Sequence, residues 1–271
     1  MAAVPALDPL LREGFAAPLL NDLAGWVRAG KRPLLGLNGP VGAGKTTLCR
    51  WLSAAASRHG LRLAVASIDD FYLPWAERQQ RMAGNPFGVS RVPPGSHDTH
   101  LLVESLRAWR GGHELTLPRF DKTLRGGQGD RSGLEAVEAD ALVLEGWLVG
   151  CQPLGSELRT DVPGLILTEP EQDWLPRWDR ALEAYGPAWE QLAGLALLRP
   201  ASWAWPRRWR FQAEARQRRA GGEWLTGMDL ESLVRSSLCS LPPVLYQQPL
   251  EAAAMRIAWL DGRRRCLRVR G

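Results

Sequence analysis

Leu34-Leu35-Gly36-Leu37-Asn38-Gly39-Pro40-Val41-Gly42-Ala43-Gly44-Lys45-Thr46 is the stretch that decides the fold. Its opening Leu34–Leu37 is a short apolar run that suits a buried strand, and Asn38-Gly39 starts a glycine turn. Gly39 to Thr46 matches G-x-x-x-x-G-K-[ST] in full, and residues 45–58 read as a helix that packs Leu48 and Leu52 inward. The glycines permit backbone angles and a close approach that a β-carbon blocks, so successive N–H groups can ring a phosphate. The helix adds the positive end of its dipole. Lys45 brings a mobile charge to the β- and γ-phosphates, and the Thr46 hydroxyl can ligate Mg²⁺. Gly39, Pro40, Val41, Gly42, Ala43, Gly44, Lys45, Thr46 and the adjoining Thr47 are therefore the nucleotide-binding candidates. A chance Gly-rich turn would lack the strand before it and the helix after it.

Leu61–Ala66, Ala141–Leu144 and Leu165–Thr168 are further apolar runs of strand length. Such strands separated by helices mark a parallel sheet covered on both faces. The predicted fold is α/β, of the P-loop NTPase kind, with three layers (α/β/α) around a mainly parallel sheet. Leu11, Phe15, Leu19 and Leu23 recur at helical spacing over residues 10–29, and Asp98 is placed to cap a helix through Leu102, Leu106 and Trp109. Residues 228–238 read as another helix, and Ile257–Val269 alternates around Asp261-Gly262 as a hairpin does. Residues 74–97 are rich in Pro, Gly, Asn and Gln and read as a long surface connection. Leu115–Leu117 reads as a short strand before a Gly-rich loop at 125–133. Residues 170–225 carry Trp174, Trp178, Trp189, Trp203, Trp205, Trp209 and Trp224 among many arginines. They read as a helical lid inserted into a single domain spanning 1–271.

The bulk numbers narrow the function classes without choosing among them. The chain has 271 residues and is 45% hydrophobic, enough to bury a real core. Its 34 Lys and Arg against 29 Asp and Glu leave a formal charge of +5, which fits small anionic substrates as readily as nucleic acid. Cys49, Cys151, Cys239 and Cys266 form no CxxC or Cys/His cluster, so a disulfide framework or metal site of that kind is not expected. No stretch approaches the roughly 18 apolar residues of a membrane helix. The first thirty residues hold Asp8, Glu13 and Asp22 and show no basic region before an apolar run. A cytoplasmic location without membrane partners is the expectation.

Two further elements point from nucleotide binding towards phosphoryl transfer. Leu61–Ala66 runs into Ser67-Ile68-Asp69-Asp70-Phe71-Tyr72, which puts two carboxylates at the carboxyl edge of the sheet, where open α/β folds bind ligands. A carboxylate there can take a hydroxyl proton from an acceptor as the phosphoryl group moves; an Asp pair that merely caps a turn is the plainer reading. Ala141–Leu144 runs into Glu145-Gly146-Trp147, which places an acid where a second magnesium-coordinating group is needed. Two loops lie between: Arg91-Val92-Pro93-Pro94-Gly95-Ser96-His97-Asp98, and Pro118-Arg119-Phe120-Asp121-Lys122, leading to Arg125 and Arg131. Their basic residues either hold an anionic substrate, as arginine does bidentately, or form a solvated surface.

Taken together these segments resemble one known family. Ser67–Tyr72 is similar to the S-x-D-x-F-Y element of the uridine kinase, phosphoribulokinase and pantothenate kinase superfamily. The remainder resembles its branch of plant-type D-glycerate 3-kinases and their fungal relatives. That branch has a P-G-[ST]-H-D loop matched by Pro94–Asp98, a P-R-[FY]-D-K loop matched by Pro118–Lys122, a G-x-G-D-R segment at Gly127–Arg131 and an E-G-W turn at Glu145–Trp147. Trp209-Arg210-Phe211-Gln212-Ala213-Glu214 resembles its W-R-x-Q-x-E helix, and Gly227-Met228 followed by Asp229 and Glu231 resembles its G-M-x-D-E-E segment. The loop before His97 reads Arg-Val-Pro-Pro where the family has Arg-Gly-x-Pro, and residues 170–205 have no clear counterpart.

The resemblance implies ATP-dependent phosphorylation of D-glycerate to 3-phosphoglycerate, with Asp69 matching the superfamily's catalytic base. On this reading Lys45 and the loop hold ATP, and Thr46 and Glu145 organise Mg²⁺. Asp70, Tyr72, His97, Asp98, Arg119 and Lys122 are candidates for the acceptor, a small molecule. Arg210 leads Arg207, Arg208 and Arg216 as the lid cation that stabilises charge on the moving group. Three alternatives stand beside it. One is a superfamily kinase for a nucleoside, pantothenate or another sugar acid; another is a regulatory nucleotide-binding protein without turnover. The third is a nucleic-acid-binding ATPase using Trp203–Arg219, where aromatic and basic residues interleave, although Pro206 breaks the segment and no recognised nucleic-acid module is visible.

Overall fold

The computed structural model describes residues 5–219 and 227–271. A short helix (Pro9–Leu11) and a π turn (Arg12–Ala16) lead into α1 (Ala17–Arg28). There follow β1 (Leu34–Asn38), α2 (Lys45–Arg58), β2 (Leu63–Ser67), α3 (Trp75–Met82), α4 (Thr99–Arg110), β3 (Leu115–Asp121), β4 (Asp130–Val137) and β5 (Ala141–Gly146). The rest of the chain contributes α5 (Glu169–Ala181), β6 (Gly194–Pro200), α6 (Trp205–Arg219), α7 (Gly227–Cys239), β7 (Arg256–Leu260) and β8 (Cys266–Arg270).

The main sheet has the order β2-β5-β1-β6-β7-β8, parallel throughout except for the β7–β8 hairpin. Strand residues alternate between two cores because successive side chains leave opposite faces. Leu34, Leu142, Leu144, Leu195 and Leu197 join Leu102, Leu106, Trp109 and Trp178 on one face. Leu35, Leu37, Val143, Ala196 and Leu198 join Phe15, Leu19, Leu23, Leu48 and Leu52 on the other. Each apolar run is therefore buried twice over, which is why it reads as continuous in the sequence. This is the three-layer α/β arrangement expected.

Several expectations need correcting. Leu165–Thr168 is not a strand: Leu165 makes only an isolated bridge to Val162 across Pro163-Gly164, and Ile166 is 89% exposed. The fourth parallel partner is β6, hydrogen-bonded to β1 in the middle of the sheet. Residues 170–225 are consequently not one helical insertion, because a central strand lies among them; Trp224 is outside the described residues. The connection 74–97 contains α3 and buries two arginines. Arg78 donates from Nη1 to Leu73 O (2.9 Å) and from Nη2 to Gly129 O (2.6 Å), tying the connection to the β3–β4 hairpin. That hairpin is longer than the predicted short strand, with a register shift between Arg119 and Phe120. Gly129 (φ +76°) lies so close to Phe120 that a β-carbon would fall 2.3 Å from the ring.

Candidate active site

The loop from Gly39 to Thr46 leaves the carboxyl end of β1 and enters α2. Gly42 and Gly44 have φ of +76° and +95°, angles open to glycine at little cost. At Gly42 a β-carbon would stand 2.7 Å from Trp209 Cβ and 2.9 Å from Arg210 N, so the start of α6 rests directly on the loop. Arg264 in the β7–β8 turn fixes the same contact, donating to Gly42 O (2.7 Å) and Trp209 O (2.9 Å). Asn38 is buried and donates from Nδ2 to Trp147 O (3.0 Å) and Val149 O (2.9 Å). It thereby sets the loop against the end of β5. Lys45 Nζ donates to Gly39 O (2.9 Å) and Pro40 O (3.3 Å) and stands 3.8 Å from Glu145.

A cleft of about 310 Å³ opens over these residues. It is lined by Val41, Gly42, Lys45 and Thr46 from the loop, and by Glu145 and Trp147 after β5. Asp69, Tyr72, Arg91, Val92 and Lys122 line it as well, and Arg210 and Leu233 contribute from the helices. Because β5 lies between β1 and β2, Asp69 sits one strand beyond Glu145 from the phosphate loop. The three expected elements thus meet in one place.

The two carboxylates differ in environment. Burial pushes the Glu145 carboxyl up, and Lys45 counters this in part. Burial also acts upward on Asp69, but the Lys122 ammonium 2.7 Å away, helped by His97 and Arg91, holds that carboxyl below the usual carboxylate range. Asp70 turns back instead: its Oδ2 accepts from Ser67 N (3.1 Å), with Arg119 at 3.5 Å. Burial leaves its carboxyl raised.

Of the acceptor candidates, Tyr72 and Lys122 line the cleft while others brace it. Tyr72 stacks on His97 with centroids 4.4 Å apart, and the two residues form an antiparallel bridge. His97 is 2% exposed; its Nδ1 lies 2.7 Å from the Tyr185 hydroxyl, and burial lowers its pKa to about 4. Asp98 caps α4 through Leu101 N (2.9 Å) and accepts from Arg131 (2.7 Å). Arg119 donates to Glu135 (2.6 Å). Arg91 and Val92 stood out in the sequence only as a loop departing from the family's Arg-Gly-x-Pro, not as site residues, yet both line the cleft. Arg91 is buried, donates to Gly127 O (3.1 Å) and presents a second cation near Asp69, whose carboxyl pKa it helps to lower. Its sequence signal was a basic residue at the head of the loop leading to His97, matching the arginine of the family's Arg-Gly-x-Pro.

On α6, Arg210 lines the cleft and pairs with Glu214 at 2.8 Å. Arg207 instead pairs with Glu231 on α7 (2.9 Å), and Arg208 lies 6.0 Å over the Trp205 ring. Trp209 is fully buried and Trp205 packs against Gly262, so these rings are used in packing rather than offered as a stacking surface for bases. Among the described residues no group of three or more His, Cys, Asp or Glu could hold a metal, and no helix is long and apolar enough to cross a membrane. Magnesium in phosphate sites needs less: it is commonly held by one or two protein groups together with the phosphates. Thr46 and Glu145 on the same cleft fit that donor set.

No model of a known protein family matches the chain. It is 29% identical over 245 residues to the chloroplastic D-glycerate 3-kinase of Arabidopsis thaliana, across 84% of this chain and 52% of that protein. It thus spans about half the length of the plant relative. To the Schizosaccharomyces pombe kinase mug58 it is 31% identical over 206 residues, across 68% of this chain and 71% of that protein. Among solved structures, D-glycerate 3-kinase from Cryptococcus neoformans superposes with a TM-score of 0.79 at 22% identity, covering 94% of this chain and 98% of that one. This last likeness is one of fold.

Proposed function

This chain belongs to the P-loop kinase family that includes the Schizosaccharomyces pombe kinase mug58 and the plant D-glycerate 3-kinase, and on that premise we propose that it phosphorylates D-glycerate to 3-phosphoglycerate, using ATP and magnesium. The observation that carries the reading is one cleft lined by Lys45, Thr46, Glu145 and Asp69, with the cations Arg91 and Lys122 on the Asp69 side. A nucleic-acid substrate is disfavoured by the packing of Trp205 and Trp209.

The loop amides and Lys45 hold the triphosphate; Lys45 exchanges its bonds to Gly39 O and Pro40 O for phosphate oxygens. Thr46 and Glu145 would hold Mg²⁺, which would neutralise charge on the phosphates. Arg91 and Lys122 bind the glycerate carboxylate, and as Lys122 turns to it Asp69 is released to accept the proton of the primary hydroxyl. Arg210 meets the charge that develops on the transferred group. The test is ADP release by the purified chain with and without D-glycerate, with the product identified by phosphorus NMR. Acceptor-dependent release with phosphate on the primary hydroxyl is the expected result. Release that ignores glycerate, or that requires a nucleoside or an oligonucleotide, would sink the proposal.

A further inference from the structure

Val92 combines two properties that do not ordinarily coincide. Its φ is +92°, a region that β-branched residues almost never occupy. It also precedes Pro93, whose ring narrows the conformations open to the residue before it. The strain is imposed from both sides. Arg91 is buried and donates to Gly127 O at 3.1 Å, and after Val92 the Pro93 carbonyl accepts from Ser96 N (3.3 Å) and from the Ser96 hydroxyl (2.6 Å). Glycine would adopt this backbone without cost. Strain of this kind persists when the surroundings overdetermine it, and it gathers at functional sites. Here the side chain that causes it lines the cleft at the end shared by Asp69, Tyr72, Arg91 and Lys122.

We infer that Val92 is a specificity-determining residue: its isopropyl group sets the length of the acceptor that fits beside Asp69, Arg91 and Lys122 once Lys122 has left Asp69 for the acceptor carboxylate. The inference rests on the function proposed above for the location of the acceptor, but not on the acceptor's identity. With a cation pair fixing the carboxylate and Asp69 fixing the reacting hydroxyl, a rigid branched side chain beside that span admits a three-carbon hydroxy acid and excludes a longer one. The strained backbone thus holds a side chain that packs against the core on one side and borders the cleft on the other.

The experiment uses the full chain and its V92A and V92G variants, with ADP release measured on a panel of hydroxy acids and sugars. For the best acceptor, kcat/KM is compared with that of its one-carbon-longer homologue; for D-glycerate the homologue is D-erythronate. Both variants are expected to shift this ratio towards the longer acceptor by about tenfold or more, the scale of one methylene in an apolar pocket. Both lose the isopropyl group, but only glycine relieves the backbone, so V92G should melt above V92A. An unchanged ratio in both variants overturns the size limit, and V92G melting at or below V92A overturns the strain. If the wild-type chain ignores glycerate and prefers another acceptor, the glycerate reading falls, and the ratio for that acceptor decides Val92.

Discussion

The nucleotide end of the cleft comes from one unbroken stretch, Gly39 to Thr46, with Glu145 added from the next strand. The acceptor end gathers Asp69 and Tyr72 after β2, Arg91 and Val92 from the connection to α4, and Lys122 from beyond β3. A contiguous loop can carry its chemistry in its own backbone angles, as Gly42 and Gly44 do. A dispersed site depends on what braces it: Arg78 holding the hairpin, Arg131 joining Tyr72 O (3.0 Å) to Asp98 (2.7 Å), and the stacked Tyr72 and His97. The acids follow the same division. Glu145 shares a buried site with Lys45, 3.8 Å away, whereas Asp69 is held ionised by a direct bond to Lys122.

Breaking each end separately should give different kinetic signatures. Asp69→Asn should lower acceptor-dependent ADP release by about 10²–10⁴-fold, the usual worth of a general base. It removes nothing that holds the triphosphate, so calorimetry should find ATP affinity within a factor of about two, too small a change for a lost phosphate contact. Near-normal turnover in this variant would refute the base assignment. Lys45→Ala should cost somewhat less in rate, about 10²–10³-fold, on the scale of one preorganised electrostatic donor. It should weaken ATP binding at the same time. A Lys45 variant that binds ATP normally would erase the distinction between the two ends.

The same division explains how much was legible in the sequence. β1, β2 and β5 are apolar runs bounded by the residues of the site, and the phosphate loop is a local pattern, so both could be read directly. β6 was hidden because Leu195–Leu198 lies in a span whose tryptophans and arginines drew attention to helices. Leu165–Thr168 has a strand's composition, but after the Pro-Gly turn Leu165 and Leu167 pack on the core while Ile166 is exposed and no neighbouring strand among the described residues pairs with it; composition does not report pairing. The roles of His97, Asp98 and Arg119 in bracing the site depend on partners far along the chain, namely Tyr185, Arg131 and Glu135. Arg91 and Val92 were quoted as part of a loop, but burial and a positive φ are properties of the folded chain. The glycine that the resembled family has at Val92's position was the one local hint of the positive φ; Arg91's burial has none.

The smallest expected effect is one of stability, and it has a sign at each end. His97 titrates at about 4 when folded, against roughly 6.5 for an ordinary histidine. The folded state therefore binds fewer protons between those values, and stability rises with pH across that window. The full shift is worth about 3 kcal/mol, which is present above the unfolded value and lost as the pH falls to the folded one. Glu145 acts oppositely: its raised carboxyl contributes at low pH and is lost as the pH rises through its folded value. Asn can keep a polar atom near the Tyr185 hydroxyl, so His97→Asn removes the titration with the least disturbance. Urea unfolding at pH 4.5 and pH 6.5 should show the wild-type chain gaining stability and the variant gaining clearly less, with the Glu145 trend exposed. Equal gains in both proteins would mean that His97 is not the group whose burial ties the acceptor end to pH.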